Sequence, residues 1–209
     1  MKRKGFVLGG VLLALILIVF YFDFAIVQKV SLIRNGFLDD FFMGITLVSK
    51  EITIFLVLTG LFLWESHRRK WVLPLWITLV LSTLISFILK YSVQRLRPYQ
   101  LEIVSTLPIF QEANHLIWNF SFPSYHALIA FCVVPLLLKE FSKLKYVWIT
   151  FATLAAFSRV YFGVHFLSDV IAGGVIGCLI GWFVLHTYEN WGSKHKIIKR
   201  KTLNSLKKF

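Results

Sequence analysis

Long apolar runs separated by short charged or turn segments dominate this chain, and they predict helices. The runs cover about 6–22, 46–64, 71–90, 127–138, 146–162 and 170–187. Crossing a hydrocarbon core takes about 17–25 largely uncharged residues, and the pattern predicts six spans. Segment 37–48, opening with Asp39-Asp40, is too short to span and reads as a helix lying at the interface. The longest connection, 99–122, is itself greasy, with Leu101, Ile103, Ile109, Phe110 and Trp118, and is expected on or in the outer leaflet. The expected fold is all-α: a single-domain integral membrane bundle (1–209) of six transmembrane helices with a short interfacial helix and a basic tail over 191–209.

Composition supports the membrane assignment. The chain has 209 residues, 57% hydrophobic, with a mean hydropathy of +0.73, against about 45–50% apolar residues in soluble domains. Net charge is +13, and its distribution orients the spans. With a cytoplasmic amino terminus, sixteen basic residues fall inside, including Lys2-Arg3-Lys4, Arg68-Arg69-Lys70 and the tail, against seven outside. Both termini are therefore expected in the cytoplasm of a multi-pass cell-membrane protein. The run 6–22 lacks a small-x-small cleavage site after it and reads as a retained helix. Cys132 and Cys178 lie inside apolar runs and read as small buried hydrophobes. No nucleic-acid partner is expected, and the oligomeric state is open.

Four of the seven outer cations, Lys90, Arg95, Arg97 and Arg159, flank just two helices. The segment Lys90-Tyr-Ser-Val-Gln-Arg95-Leu-Arg97-Pro98 closes the third span. On a continuous helix, seven steps of about 100° return Lys90 and Arg97 to nearly one face, and Pro98 opposes another turn. Lys90 is equally readable as a snorkelling lysine, and Arg95, on another face, as a head-group residue. Pro123-Ser124-Tyr125-His126 opens the fourth span, where free N–H groups and the helix dipole favour an anion; Ser124 as a plain N-cap and His126 as an interfacial histidine are the simpler readings. Between the fifth and sixth spans lie Ser158-Arg159, Gly163, His165 and Ser168-Asp169. If helical there, His165 and Asp169 share a face, and the carboxylate can accept a proton from one ring nitrogen. The other nitrogen is then an oriented nucleophile or base; Asp169 is alternatively a cap of the sixth helix.

Three cations, a helix-start serine, two histidines and a carboxylate suit a doubly charged tetrahedral oxyanion. A histidine nucleophile with a second histidine as acid suits phosphoryl transfer through phosphohistidine. The outer acids Asp23, Asp39, Asp40, Glu51, Glu102 and Glu112 are scattered and lack ligand-like spacing with His115, His126 or His165, so no metal or cofactor is expected.

The motifs Lys90-x6-Arg97-Pro98, Pro123-Ser124-x-His126 and Ser158-Arg159-x5-His165-x3-Asp169, in this order and each at the mouth of a span, resemble the three-part pattern of the type 2 phosphatidic acid phosphatase family. That family shares its site with vanadium haloperoxidases and bacterial acid phosphatases, and the resemblance covers about residues 45–190. It implies a six-helix core with the site at the extracytoplasmic surface and no metal. It further implies that His165 attacks phosphorus, Asp169 orients it, and His126 protonates the leaving oxygen. Lys90, Arg97, Ser124 and Arg159 would hold the phosphate oxygens, with the Tyr125 amide as a further contact. The family commonly has glycine at the position of Tyr125. A left-handed backbone would be costly for tyrosine, so the turn is expected to suit ordinary residues and the ring to line the pocket or meet lipid.

The expected function is hydrolysis of a lipid phosphate or diphosphate, such as a polyprenyl diphosphate, phosphatidylglycerol phosphate or phosphatidic acid. A lipid phosphotransferase would use the same phosphohistidine. An anion transporter or inert scaffold would use the same cations, but binding alone does not require His126, His165 and Asp169. Gly173, Gly177 and Gly181 predict close approach of a neighbouring helix, most simply within the bundle. His115 reads as an interfacial histidine, and His67, His186 and His195 as solvent or head-group residues on the inner side.

Overall fold

A computed structural model describes residues 18–111 and 119–206, with side chains described as far as Trp191. The described residues form helices joined by turns, with no strand among them. They are α1 (18–31), α2 (Gly36–Val48), α3 (Glu51–Trp64), α4 (Val72–Val93), α5 (Pro108–Gln111), α6 (Tyr125–Cys132), α7 (Val134–Glu140), α8 (Lys145–Tyr161) and α9 (Leu167–Leu206).

By length and composition, two stretches among the described residues are long and apolar enough to cross a bilayer, Ser66–Val93 and Leu167–Trp191. A third crossing results if α2 and α3, bent by 59° at their junction, form one path. The predicted first span lies mostly outside the described residues, and the helix there runs on through residue 31. Asp23, read as the charged end of that span, sits inside the helix and is fully buried. The large apolar side chains of α3, α4 and α9 that face outward, among them Leu56, Ile88, Leu179 and Phe183, form the kind of apolar surface that lipid covers.

The segment predicted to lie at the interface, 37–48, forms α2 and packs against α8. Asn35 caps α2 by accepting from the Leu38 N–H at 3.1 Å. The Tyr161 hydroxyl donates to Asp39 Oδ1 at 2.7 Å, and the Phe42 and Tyr161 rings meet at a 36° tilt with centroids 4.5 Å apart. α2 ends when Lys50 takes an extended backbone, and the chain turns there into α3.

The buried helix at the centre is α6, packed by α3, α4, α8 and α9. It joins α7 at Val133, and Pro135 sits in the first turn of α7. Proline has no N–H to offer the Phe131 carbonyl four residues back; Cys178 Sγ lies 3.8 Å from that oxygen. Both cysteines are free.

Gly173, Gly177 and Gly181 form the face of α9 laid on α6. A Cβ at Gly173 would come within 2.5 Å of the Ser124 carbonyl oxygen, and one at Gly177 or Gly181 would run into the carbonyls of Leu128 or Cys132. The close approach predicted for these glycines is therefore made to α6, within the bundle.

Candidate active site

Five stretches of chain converge on a cavity of about 330 Å³, lined by Lys90, Arg97, His126, Arg159 and His165, with Tyr125, Thr46, Lys50, Glu51 and Phe110 among its other walls.

α4 delivers Lys90. Its buried stripe, Leu75, Thr78, Leu79, Ser82, Ser86 and Lys90, keeps helical spacing, and Lys90 is only 1% exposed. Its Nζ donates to the Phe120 carbonyl at 2.5 Å. The helix stops sooner than Pro98 suggests, because Gln94 adopts a left-handed backbone (φ 51) and closes its N–H on the Lys90 carbonyl. Lys90 and Arg97 therefore do not share a helix face. Arg97 enters from the following loop and donates from Nε to the Asn119 carbonyl at 3.0 Å and from Nη1 to that of Val164 at 3.4 Å.

Ser124 and His126 begin α6. Ser124 is the N-cap residue, yet its hydroxyl makes no cap bond. Ser124 Oγ and His126 Nε2 are buried without a hydrogen-bond partner among the described residues. Tyr125 is in the first helical turn and has no positive φ, so a side chain is tolerated where the family commonly has glycine. Its hydroxyl lies 2.9 Å from Thr83 Oγ1 and its ring lines the cavity.

The end of α8 supplies Arg159 and turns the chain toward His165. Gly163 N–H bonds to the Val160 carbonyl and Val164 N–H to that of Arg159, with Gly163 left-handed at φ +68: a Schellman termination. Any Cβ there would also come within 2.5 Å of Val104 Cγ2. Arg159 is 4% exposed, and its Nε and Nη1 have no partner among the described residues. Its guanidinium stands 4.9 Å from the centre of the Phe110 ring.

His165 precedes α9, so the shared helix face expected for His165 and Asp169 is not what joins them. Asp169 lies in the first turn, and its Oδ2 accepts from the Phe166 N–H at 2.9 Å, the reciprocal half of a capping box. His165 Nδ1 is 3.9 Å from Asp169 Oδ2. Ser121 stands between them: its hydroxyl donates to Asp169 Oδ2 at 2.5 Å, and its oxygen lies 3.4 Å from His165 Nδ1. With the Ser121 proton committed to the carboxylate, its lone pair favours the tautomer protonated at Nδ1, leaving Nε2 as the free lone pair. Burial, then Arg97, Lys90 and Arg159, hold the His165 pKa well below the ordinary imidazole value, so the ring is neutral.

Three residues absent from the sequence-based set complete the picture. Ser121 carried no motif signal. Arg95, expected at the head groups, instead bonds Asp169 Oδ1 at 2.7 Å and Asp23 Oδ2 at 2.8 Å. Asp23 was one of the scattered acids; an acid within an apolar run is a signal that could have marked it. Lys50 and Glu51, at the α2–α3 bend, also face the cavity. His115 lies outside the described residues, as does the side chain of His195. His186 pairs with Asn190 at 2.9 Å, and His67 with Glu65 and Glu140. Among the described residues, no group of three or more His, Cys, Asp or Glu is arranged to hold a metal ion.

Comparison with known proteins identifies the family. The chain is 31% identical over 179 residues to phosphatidylglycerophosphatase B of Bacillus subtilis, covering 78% of this chain and 81% of that one. It is 33% identical over 152 residues to an undecaprenyl-diphosphatase of Sulfolobus acidocaldarius, covering 69% and 68%. The crystal structure of a transmembrane PAP2-type phosphatidylglycerolphosphate phosphatase from Bacillus subtilis superimposes with a TM-score of 0.68 at 25% identity, over 86% of this chain and 94% of that one. The PAP2 superfamily model matches residues 71–193, which hold every motif residue named above. The chain belongs to the PAP2 superfamily, the type 2 phosphatidic acid phosphatases.

Proposed function

We propose that this membrane phosphatase hydrolyses a lipid phosphate or diphosphate at the outer membrane surface through a phosphohistidine on His165. One observation carries the reading: buried polar atoms without partners among the described residues, His126 Nε2 and Arg159 Nε and Nη1, belong to residues that line the cavity with His165 and Lys90, and Ser124 Oγ, likewise unpartnered, stands next to them at the head of α6. Each unsatisfied buried polar group costs about 1–3 kcal/mol. A phosphate group would supply the missing acceptors and offset that cost.

In this mechanism Lys90, Arg97, Arg159, Ser124 and the Tyr125 amide hold the phosphate oxygens. His165 Nε2 attacks phosphorus while Ser121 and Asp169 hold the Nδ1 proton. The bond from phosphorus to the lipid oxygen breaks, and His126 gives that oxygen a proton. His126 then takes a proton from water, which attacks the phosphohistidine and releases inorganic phosphate and neutral His165. Donors fixed before the reaction lower the barrier because no reorganisation is needed as charge moves.

A lipid substrate is supported by a second, apolar groove between α3, α4 and α6, lined by Phe55, Leu79, Val80 and Leu84. It shares Glu51 and Tyr125 with the polar cavity, giving a hydrocarbon chain a route to the bilayer. The names of the relatives above support phosphatidylglycerol phosphate and undecaprenyl diphosphate as candidates, with phosphatidic acid a third. The apolar runs of the sequence support six crossings, and the charge distribution supports both termini inside and the cavity outside. The test is phosphate release by purified protein from these three lipids, carrying radiolabelled phosphate, with a chelator present, together with label retained on His165 after an alkaline quench, because the P–N bond of phosphohistidine does not survive acid. Turnover on none of them, or turnover with no label on histidine, defeats the proposal.

A further inference from the structure

The motif residues account for phosphorus and its oxygens, but not for a buried charge cluster behind them. Asp23 and Asp169 are both 0% exposed. Arg95 stands between them, its Nη1 on Asp169 Oδ1 and its Nη2 on Asp23 Oδ2. Nη1 also donates to Ser168 Oγ at 2.7 Å. Ser168 in turn donates to Asp23 twice, from its backbone N–H to Oδ1 at 2.9 Å and from its hydroxyl to Oδ2. The rings of Phe166 and Phe20 flank the guanidinium, with centroids 4.1 Å and 4.7 Å away.

Burying two carboxylates is costly unless both are paired and hydrogen-bonded. Asp169 can be accounted for by its link to His165. Asp23 does not line the cavity, and it comes from α1, outside the segment 71–193 that the superfamily model matches. What it does touch are two groups that hold Asp169 or its turn: Arg95 and Ser168.

We infer that Asp23 is a positioning residue for the nucleophile, acting through Arg95. The planar guanidinium can serve both carboxylates at once only if Asp23 fixes its far edge. So fixed, it occupies Asp169 Oδ1 and leaves Oδ2 for Ser121, whose oxygen meets His165 Nδ1. The ordered path Asp23–Arg95–Asp169–Ser121–His165 makes α1 part of the site. Without the Asp23 charge, Arg95 turns wholly onto Asp169, the carboxylate shifts, and the imidazole lone pair loses its aim. Phosphate contacts are untouched, so the effect falls on turnover and not on substrate affinity.

This inference rests on His165 being the nucleophile. The test compares the full-length wild type with Asp23→Asn, Asp23→Glu, Arg95→Lys and an inactive His165→Ala blank in detergent, on the lipid phosphate the wild type turns over best. Asp23→Asn keeps the shape and loses the charge; its kcat is expected to fall about tenfold or more with KM within about twofold. Asp23→Glu restores charge and recovers part of that loss. If Asp23→Asn does not purify as a single folded species, Arg95→Lys decides by the same split, because a point-like ammonium cannot bridge both carboxylates. An unchanged kcat, or a loss matched by a rise in KM, overturns the inference alone. A wild type inert on every lipid phosphate overturns the proposed function, and this inference with it.

Discussion

The two ends of the bundle use the same kinds of charged residues to opposite effect. At the end away from the cavity, Arg68 meets Glu65 at 2.9 Å and Glu140 at 3.3 Å, while His67 lies 3.2 Å and 3.4 Å from the same two acids. The Trp71 indole donates to Glu140 at 2.6 Å. Cations and acids there pair with one another, although Arg68 Nε makes no hydrogen bond among the described residues, and they tie the turn before α4 to the end of α7. At the other end Lys90, Arg97 and Arg159 crowd one cavity. Of the carboxylates near them, Asp169 is already committed to Arg95, Ser121 and the Phe166 amide, which leaves Glu51 on the cavity wall against these three cations and Lys50. The paired end holds the fold, while the end with surplus positive charge is poised for an anion.

The largest break in this contrast comes from His165→Ala, which is expected to lower phosphate release about a thousandfold or more while the protein still elutes as a folded species. Retained turnover would remove His165 from the chemistry. Next is Arg159→Met, which substitutes an apolar side chain of similar reach for a buried cation with unpaired nitrogens. Its kcat/KM is expected to drop about a hundredfold, yet its thermal midpoint without phosphate should rise, because an unmet charge has left the interior. A lower midpoint would mean Arg159 stabilises the empty site.

Titration sharpens the contrast further. Because burial and the three cations depress the His165 pKa, the nucleophilic form survives as pH falls past about 6.5, the ordinary imidazole value. The acid limb of kcat/KM, which reports the free enzyme, is therefore expected below that pH. The linked stability has the matching sign. The unfolded chain takes up a proton near about pH 6.5 that the folded site resists, so this contribution is present above that value and is lost as pH falls toward the folded pKa. An acid limb set by His165 above about pH 6.5 would contradict the assigned surroundings of the ring. The smallest effect on turnover belongs to Glu140→Gln at the paired end: stability falls by about 1–3 kcal/mol in denaturant titration while kcat/KM stays near wild type. A large loss of activity there would abolish the division between the two ends.

The motif residues were legible because their chemistry and order are unusual for helix ends in an apolar chain. How they meet was less legible. Spacing placed Lys90 and Arg97 on one helix face, but Gln94 ends the helix with no glycine or proline at that position to announce it. For the same reason the helical projection assigned Arg95 to the wrong surroundings. Ser121 and Asp23 act through contacts to residues 48 and 145 positions away, which no local pattern encodes. The greasy loop was expected on or in the outer leaflet, and its Ile109 and Phe110 line the cavity wall. The α2–α3 bend, which brings Lys50 and Glu51 to the cavity, falls at Ser49-Lys50-Glu51, polar residues inside the start assigned to the 46–64 span.

The glycine face between α9 and α6 sets a manufacturing tolerance for the site. Ser124 and His126 head one helix, and His165 and Asp169 lead into the other. The gap between them is fixed by backbone lying on backbone, with the Ser124 N–H bonded to the Asp169 carbonyl at 3.0 Å at the top of the seam. No rotamer change can take up slack in such a joint. A single methyl added at Gly177 would act as a shim, prying apart two halves that phosphorus must bridge. Residues deep in the apolar layer that never touch substrate would thus surface as catalytic lesions in a mutational scan, which extends the functional footprint well beyond the cavity.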